Sequence, residues 1–226
     1  MKLSNQPLLP GLFKKRLNRF LAEVLIDGQK HGVHVPNTGR MRELLLSDAK
    51  VLVSYNPAPE RKTDYTLRAV MHKGVWVSVD SGLANKIAAQ YLGQRPDITE
   101  LQAEVTYKNS RFDFYARKNG NAIYYEVKSV NLLLDGIAKF PDAPTKRGAK
   151  HLLELMDAYE NGFGAGVLFF VMRADAKAFS PNWDTDSEFS RLLGQCHSLG
   201  LEIRALSCDI DGINIKILEE LPVQWV

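Results

Sequence analysis

Lys118-Asn119-Gly120-Asn121 separates two runs of strand-like alternation, 111–117 and 122–130. Asn-Gly between such runs is the strongest short-range signal for a two-residue type I′ hairpin, and that turn removes the freedom of register between its strands. With Lys118 opposite Asn121, the pairing predicts Arg117 facing Ala122, Tyr115 facing Tyr124, Asp113 facing Glu126 and Arg111 facing Lys128. Side chains alternate along a strand, so Phe112, Phe114, Ala116, Ile123, Tyr125 and Val127 form one apolar face. Arg111, Asp113, Tyr115, Tyr124, Glu126 and Lys128 form the other. A slip of one residue would turn an apolar set toward the wrong side.

The predicted register sets two carboxylates, Asp113 and Glu126, against one another. Like charges opposed across a ladder destabilise it, so a counter-charge is required. One solution is a divalent cation: Mg²⁺, or Mn²⁺ in its place, is held by one or two carboxylates with substrate phosphate completing the sphere. Lys128, two positions beyond Glu126, then stands ready to bind phosphate, orient water or stabilise developing charge. The other solution is a solvated charge ladder in which Arg111 and Lys128 neutralise the acids. Glu-x-Lys alone is uninformative, since Glu60-Arg61-Lys62 repeats the pattern in a Pro-rich loop.

The 226 residues are 45% hydrophobic, enough for one large or two modest domains. No run approaches the ~18 apolar residues of a membrane span, and the basic residues near the start follow rather than precede the apolar ones, unlike a secretory leader. Cys196 and Cys208 lack metal-ligand spacing and read as reduced, buried thiols of a cytoplasmic protein. Up to Gly82 there are 13 Lys/Arg against 7 Asp/Glu; after it there are 16 against 19. This asymmetry fits a basic N-terminal domain that holds a polyanion over a more acidic site.

Residues 8 to 80 contain five short β-type runs separated by turn signals at Asp27-Gly28, Asn37-Thr38-Gly39, Asn56-Pro57 and Lys73-Gly74. They predict a small barrel of the oligonucleotide-binding (OB) type over residues 1–82. Beyond Gly82 strands alternate with helices predicted near 83–92, 146–160 and 186–198, giving an α/β domain with a mixed sheet over 83–226.

Basic residues supply candidate phosphate contacts in both halves. In the first these are Lys14, Lys15, Arg16 and Arg19; His34, Asn37 and Arg40 around the Asn-Thr-Gly turn; and Arg61 and Lys62. In the second they are Arg111 and the group Lys146, Arg147, Lys150 and His151. That group opens a predicted helix, where positive charge opposes the helix dipole and an anionic partner would explain it.

HVPNTGRM (34–41), NPAPERKTDYTL (56–67), SRFDF (110–114), YYEVKSVNL (124–132) and KFPDAPTKRGAKHLLEL (139–155) occur in an order that resembles the sugar fermentation stimulation protein A family. The Asp, then Glu-x-Lys arrangement is similar to the PD-(D/E)xK nuclease superfamily. The resemblance implies an OB-type barrel followed by a restriction-endonuclease-like domain, nonspecific DNA binding and a link to sugar (maltose) metabolism. It implies Asp113 and Glu126 as metal ligands, Glu104 as an additional acid, Lys128 as catalytic lysine and Arg173 as a further polar contact. This chain departs from the family pattern with Val35 after His34 and Met172 before Arg173, and from the superfamily with Phe112 before the aspartate. Three functions follow as alternatives: a Mg²⁺-dependent nuclease, a noncatalytic DNA-binding regulator, or a hydrolase of a small phosphorylated metabolite. A homo-oligomer is compatible with the sequence, but nothing in the sequence sets the oligomeric state.

Overall fold

The computed structural model describes residues 1–225. Six strands build the N-terminal unit: β1 (Leu8–Asn18), β2 (Leu21–Ile26), β3 (Gln29–His34), β4 (Lys50–Tyr55), β5 (Tyr65–His72) and β6 (Val75–Ser78). Their order is β3-β2-β1-β4-β5, and a short parallel pairing of Val33 and His34 with Tyr65 and Thr66 closes a five-stranded barrel; β6 continues from the far end of β5. Phe13, Val24, Val33, Val53, Leu67 and Val77 fill its interior. β1 was not foreseen, because Pro10, Gly11 and a run of basic residues mask its alternation. It nevertheless pairs on both sides, with β2 and β4, and shifts register at Phe13/Lys15 and Arg16/Asn18.

The α/β unit begins with α1 (Gly82–Gly93) and continues through β7 (Ile98–Tyr107), β8 (Ser110–Lys118), β9 (Asn121–Val130), β10 (Leu133–Leu134), β11 (Ile137–Phe140), α2 (Lys146–Glu160), β12 (Gly164–Val171), β13 (Ala178–Pro181), α3 (Ser187–Leu199), β14 (Glu202–Ile210) and β15 (Ile215–Leu221). The central sheet runs β15-β14-β12-β9-β8-β7. β9, β12 and β14 are mutually parallel and linked by crossovers through α2 and α3, whereas β7, β8 and β15 are antiparallel additions. Thr145 caps α2 by accepting from Gly148 N–H at 3.0 Å, and Asp186 caps α3 by accepting from Phe189 N–H at 2.9 Å.

Both faces of this sheet are buried at its central strands, β9, β12 and β14. α1 covers Phe114, Ala116, Ile123, Tyr125, Leu168 and Phe170 on one side. α2 and α3 cover Tyr124, Val167, Phe169 and Ala205 on the other. Cys208 belongs to the first side and Cys196 to the second, so the sheet separates the two free thiols. Burial pushes each thiol up to about 12, away from the thiolate form that reacts.

The barrel packs on the α1 side through Leu8, Leu52, Ala69 and Trp76. Residues at the chain's start also cross to the α/β unit, where Leu3 N–H donates to the Ile213 carbonyl and Ile215 N–H donates to that of Met1, both at 2.8 Å. Among the described residues, no helix is long and apolar enough to cross a membrane.

Candidate functional site

The hairpin turn sets the predicted register over its first five pairs, from Lys118↔Asn121 to Phe114↔Tyr125. Pairing stops there. Asp113 and Glu126 are therefore not a ladder pair, as strict extrapolation required; the strands part, and the Asp113 carboxylate fills the gap. Its Oδ2 accepts the Val127 N–H at 2.8 Å, replacing the backbone acceptor that a continued ladder would supply. Asn85 of α1 donates to Oδ1 at 2.7 Å. Phe112 departs from the alternation too, packing with Tyr124 on the α2 side rather than with Phe114.

Glu126 is almost completely enclosed, with its side chain 4% exposed. His151 of α2 reaches its Oε1 through Nδ1 at 2.6 Å, and Lys128 Nζ donates to the same oxygen at 2.5 Å. Oε2 is buried and has no hydrogen-bond partner. Burial opposes ionisation of Glu126, but hydrogen bonding from His151 and the Lys128 charge outweigh it and hold the carboxyl below its ordinary range. Asp113 moves the other way: burial, reinforced by the negative charge of Glu126, raises it despite the two hydrogen bonds it accepts. The neighbouring carboxyls are thus pushed apart, a pattern concentrated at functional sites.

Asp113, Glu126 and Lys128 line a cleft of about 570 Å³ to which both units contribute. The barrel contributes Arg19 and the turn Asn37-Thr38-Gly39; the start of α1 contributes Ser81 and Asn85; residues 139–145 and Arg147 complete the wall. Arg16 fixes that turn. Its guanidinium donates to the carbonyls of Gly39, Arg40, Arg19 and Asn37 at 2.5, 2.9, 2.6 and 2.8 Å, and Arg40 N–H donates to Asp142 across the cleft at 2.9 Å. Arg16 is accordingly a backbone clamp, not the phosphate contact expected for it. Replacing it by Lys should cost about 2–3 kcal/mol in chemical denaturation, because a single ammonium cannot reproduce the fork.

The remaining predicted contacts divide clearly. Arg19, Asn37 and Arg147 reach the cleft. His34, Arg61 and Lys62 line a separate groove on the barrel, and Arg40 lines a shallow basin with Arg42. Lys14 pairs with Asp48, Lys15 stands exposed opposite Glu23, and Lys146 is exposed at the start of α2. Lys150 turns away to donate to the Asn109 carbonyl at 3.0 Å. Glu104 does not join the acids: it sits at φ +57° within β7, is 66% exposed and faces Arg111 at 3.5 Å. His151, expected as a phosphate contact, is buried against Glu126 Oε1, and Arg173 is only 1% exposed, bonded to Asp175 at 2.6 Å.

In the sequence Lys139 and Asp142 are marked only as part of the longer motif KFPDAPTKRGAKHLLEL, and Asn85 sits in a helix with no local signal. Folding alone brings these three to the cleft.

A closed five-stranded barrel set against an α/β unit with a mixed central sheet, sharing one polar cleft, defines a two-domain protein that joins an OB-type barrel to an α/β domain. Residues 15–79 match the SfsA N-terminal OB domain and residues 82–213 the sugar fermentation stimulation protein RE domain; the chain belongs to the SfsA family. It is 42% identical over 217 residues to a sugar fermentation stimulation protein homolog of Clostridium tetani, covering 93% of this chain and 94% of that one. With the Clostridium beijerinckii homolog the identity is also 42%, over 221 residues and 96% and 97% of the two chains. The solved structure of Pyrococcus furiosus SfsA in complex with Ca²⁺ is similar over 99% of both chains, with 28% identity and a TM-score of 0.87.

Proposed function

We propose that the protein is a DNA-binding, divalent-cation-dependent phosphodiesterase whose reacting centre is Asp113, Glu126 and Lys128. The observation that carries this reading is Glu126 Oε2: a carboxylate oxygen, buried, unpartnered and belonging to a group held in its charged form. An uncompensated buried acceptor costs about 1–3 kcal/mol, more when charged, and a hard cation with oxygen ligands removes that cost. The donor set suits Mg²⁺, or Mn²⁺ in its place. Asp113 and Glu126 supply two carboxylates, and among the described residues no third His, Cys, Asp or Glu closes the set. That leaves positions for water and substrate phosphate, the arrangement usual for Mg²⁺ at phosphoryl centres. The Pyrococcus furiosus relative was solved in complex with Ca²⁺, a hard divalent cation, which supports the proposal of a cation partner.

Bound there, the cation would polarise the phosphoryl oxygen and acidify a coordinated water. His151 and Lys128 hold Glu126 Oε1 and so direct Oε2 away from themselves. Lys128 lines the cleft, where its ammonium would stabilise negative charge developing on the oxygens of a bound phosphate. Arg19 and Arg147 meet flanking phosphates from opposite walls. The excess of basic residues before Gly82 suits a polyanion.

Cleavage of DNA in Mg²⁺ or Mn²⁺ tests the reading. Wild type should cut, and Lys128→Met should cut about 10²–10³-fold more slowly with DNA binding preserved. DNA binding with a steep salt dependence but no cation-dependent cleavage by wild type would replace this reading with the noncatalytic one.

A further inference from the structure

Glu126 is buried where it lines the cleft, and the clamped turn Asn37-Thr38-Gly39 lines the same cleft from the barrel side. The cleft volume, near 570 Å³, falls in the range of pockets that enclose a ligand of nucleotide size.

A second groove, about 720 Å³, adjoins this cleft on the barrel and includes Phe20, His34, Arg61 and Lys62. The two share their boundary along the chain. Arg19 belongs to the cleft while Asn18 and Phe20 belong to the groove; likewise Asn37 lies in the cleft and Pro36 in the groove. Phe20 is 50% exposed, although it sits on a pinned turn: its N–H donates to Asn18 Oδ1 at 2.8 Å and its carbonyl accepts from Val35 N–H at 2.9 Å. Neither hydrogen bond engages the ring. A fixed, half-bare aromatic face beside exposed Arg19 and Lys62 has the composition of a base-stacking platform with a phosphate track.

Building on the phosphodiesterase reading, we infer that the substrate is an unpaired strand: single-stranded DNA runs from the carboxylate cleft across the barrel groove, with one base stacked on Phe20. The barrel then selects the substrate's strandedness while the α/β unit performs the chemistry. Phe20 is a specificity determinant that lines the barrel groove and not the carboxylate cleft.

Fluorescence anisotropy in Ca²⁺, using a labelled oligonucleotide of about 20 nucleotides, its blunt duplex and a duplex with a single-stranded overhang, tests the inference independently of cleavage. The single strand and the overhang should bind at least about tenfold tighter than the blunt duplex. Phe20→Ala should weaken single-strand binding by about 5–100-fold, Phe20→Tyr should retain it, and neither should alter duplex binding. Equal or tighter binding of the blunt duplex, or equal losses on both substrates in Phe20→Ala, overturns the inference. If the duplex is also cut in Mg²⁺, the phosphodiesterase reading stands without it. Failure to bind any of the three DNAs removes both.

Discussion

Asp113→Asn is expected to abolish divalent-cation binding while making the cation-free protein more stable. Titration calorimetry with Mn²⁺ should show an affinity loss of at least about 100-fold, since changing a group that merely orients a ligand already costs about 10–100-fold. Thermal unfolding without cation should move upward, each kcal/mol recovered appearing as about 2–4 °C in a chain this size. The gain arises because burial and the neighbouring Glu126 charge both resist ionisation of Asp113, whose carboxyl is raised. The asparagine preserves the contacts: its Oδ1 accepts the Val127 N–H, and rotation of the Asn85 amide lets that residue accept from the new Nδ2–H.

The sign of the pH dependence follows from the same cause. A carboxyl raised on folding contributes stability at low pH that is lost as pH climbs through its folded value. Wild type should thus lose its stability deficit against Asp113→Asn in acid. Cation affinity runs in the opposite sense, falling as pH drops through the raised Asp113 value while the lowered Glu126 remains charged. Unchanged Mn²⁺ heats in the variant would eliminate Asp113 as a ligand.

How much of this could be read beforehand depended on whether local chemistry or distant packing placed a residue. Asn119-Gly120 is a local instruction, and five cross-strand pairs obey it. The sixth fails because nothing in the hairpin encodes where β8 and β9 part, which is where Asp113 substitutes for a backbone acceptor. The helical spacing at 146–160 located α2, but whether His151 points to solvent or beneath the sheet depends on the sheet's rotation. Charge proved least legible. Arg16, Arg19 and Arg173 look alike as letters, yet one clamps four carbonyls, one faces the cleft and one is buried. A basic residue's role is set by the acceptors around it, and those are brought together only by the completed fold.

Arg173 carries the second large effect. Its Nε and Nη2 donate to Asp175 at 2.6 and 2.8 Å, Nη1 donates to the Asn131 carbonyl at 3.2 Å, and Nη2 meets His72 Nδ1 on the barrel at 3.3 Å. The adjoining Met172 carbonyl accepts the Ser78 N–H of β6 at 3.1 Å, so this residue pair joins the units behind the cleft. Arg173→Met keeps volume and removes the cation, leaving Asp175 unpaired and the Asn131 carbonyl without this donor. Breaking a buried pair from one side costs about 3–5 kcal/mol, a fall in Tm of roughly 6–20 °C for a chain of this length. Burial first, and the Arg173 charge second, lower the His72 imidazole from its ordinary value. A histidine lowered on folding contributes stability above its unfolded value near 6.5, and this stability is lost as pH falls through the folded value. In Arg173→Met the NMR titration of His72 should move upward and the acid sensitivity of the fold should shrink. A variant with wild-type Tm would show that the join between barrel and sheet rests on its apolar contacts, Leu52, Ala69 and Trp76, rather than on this arginine.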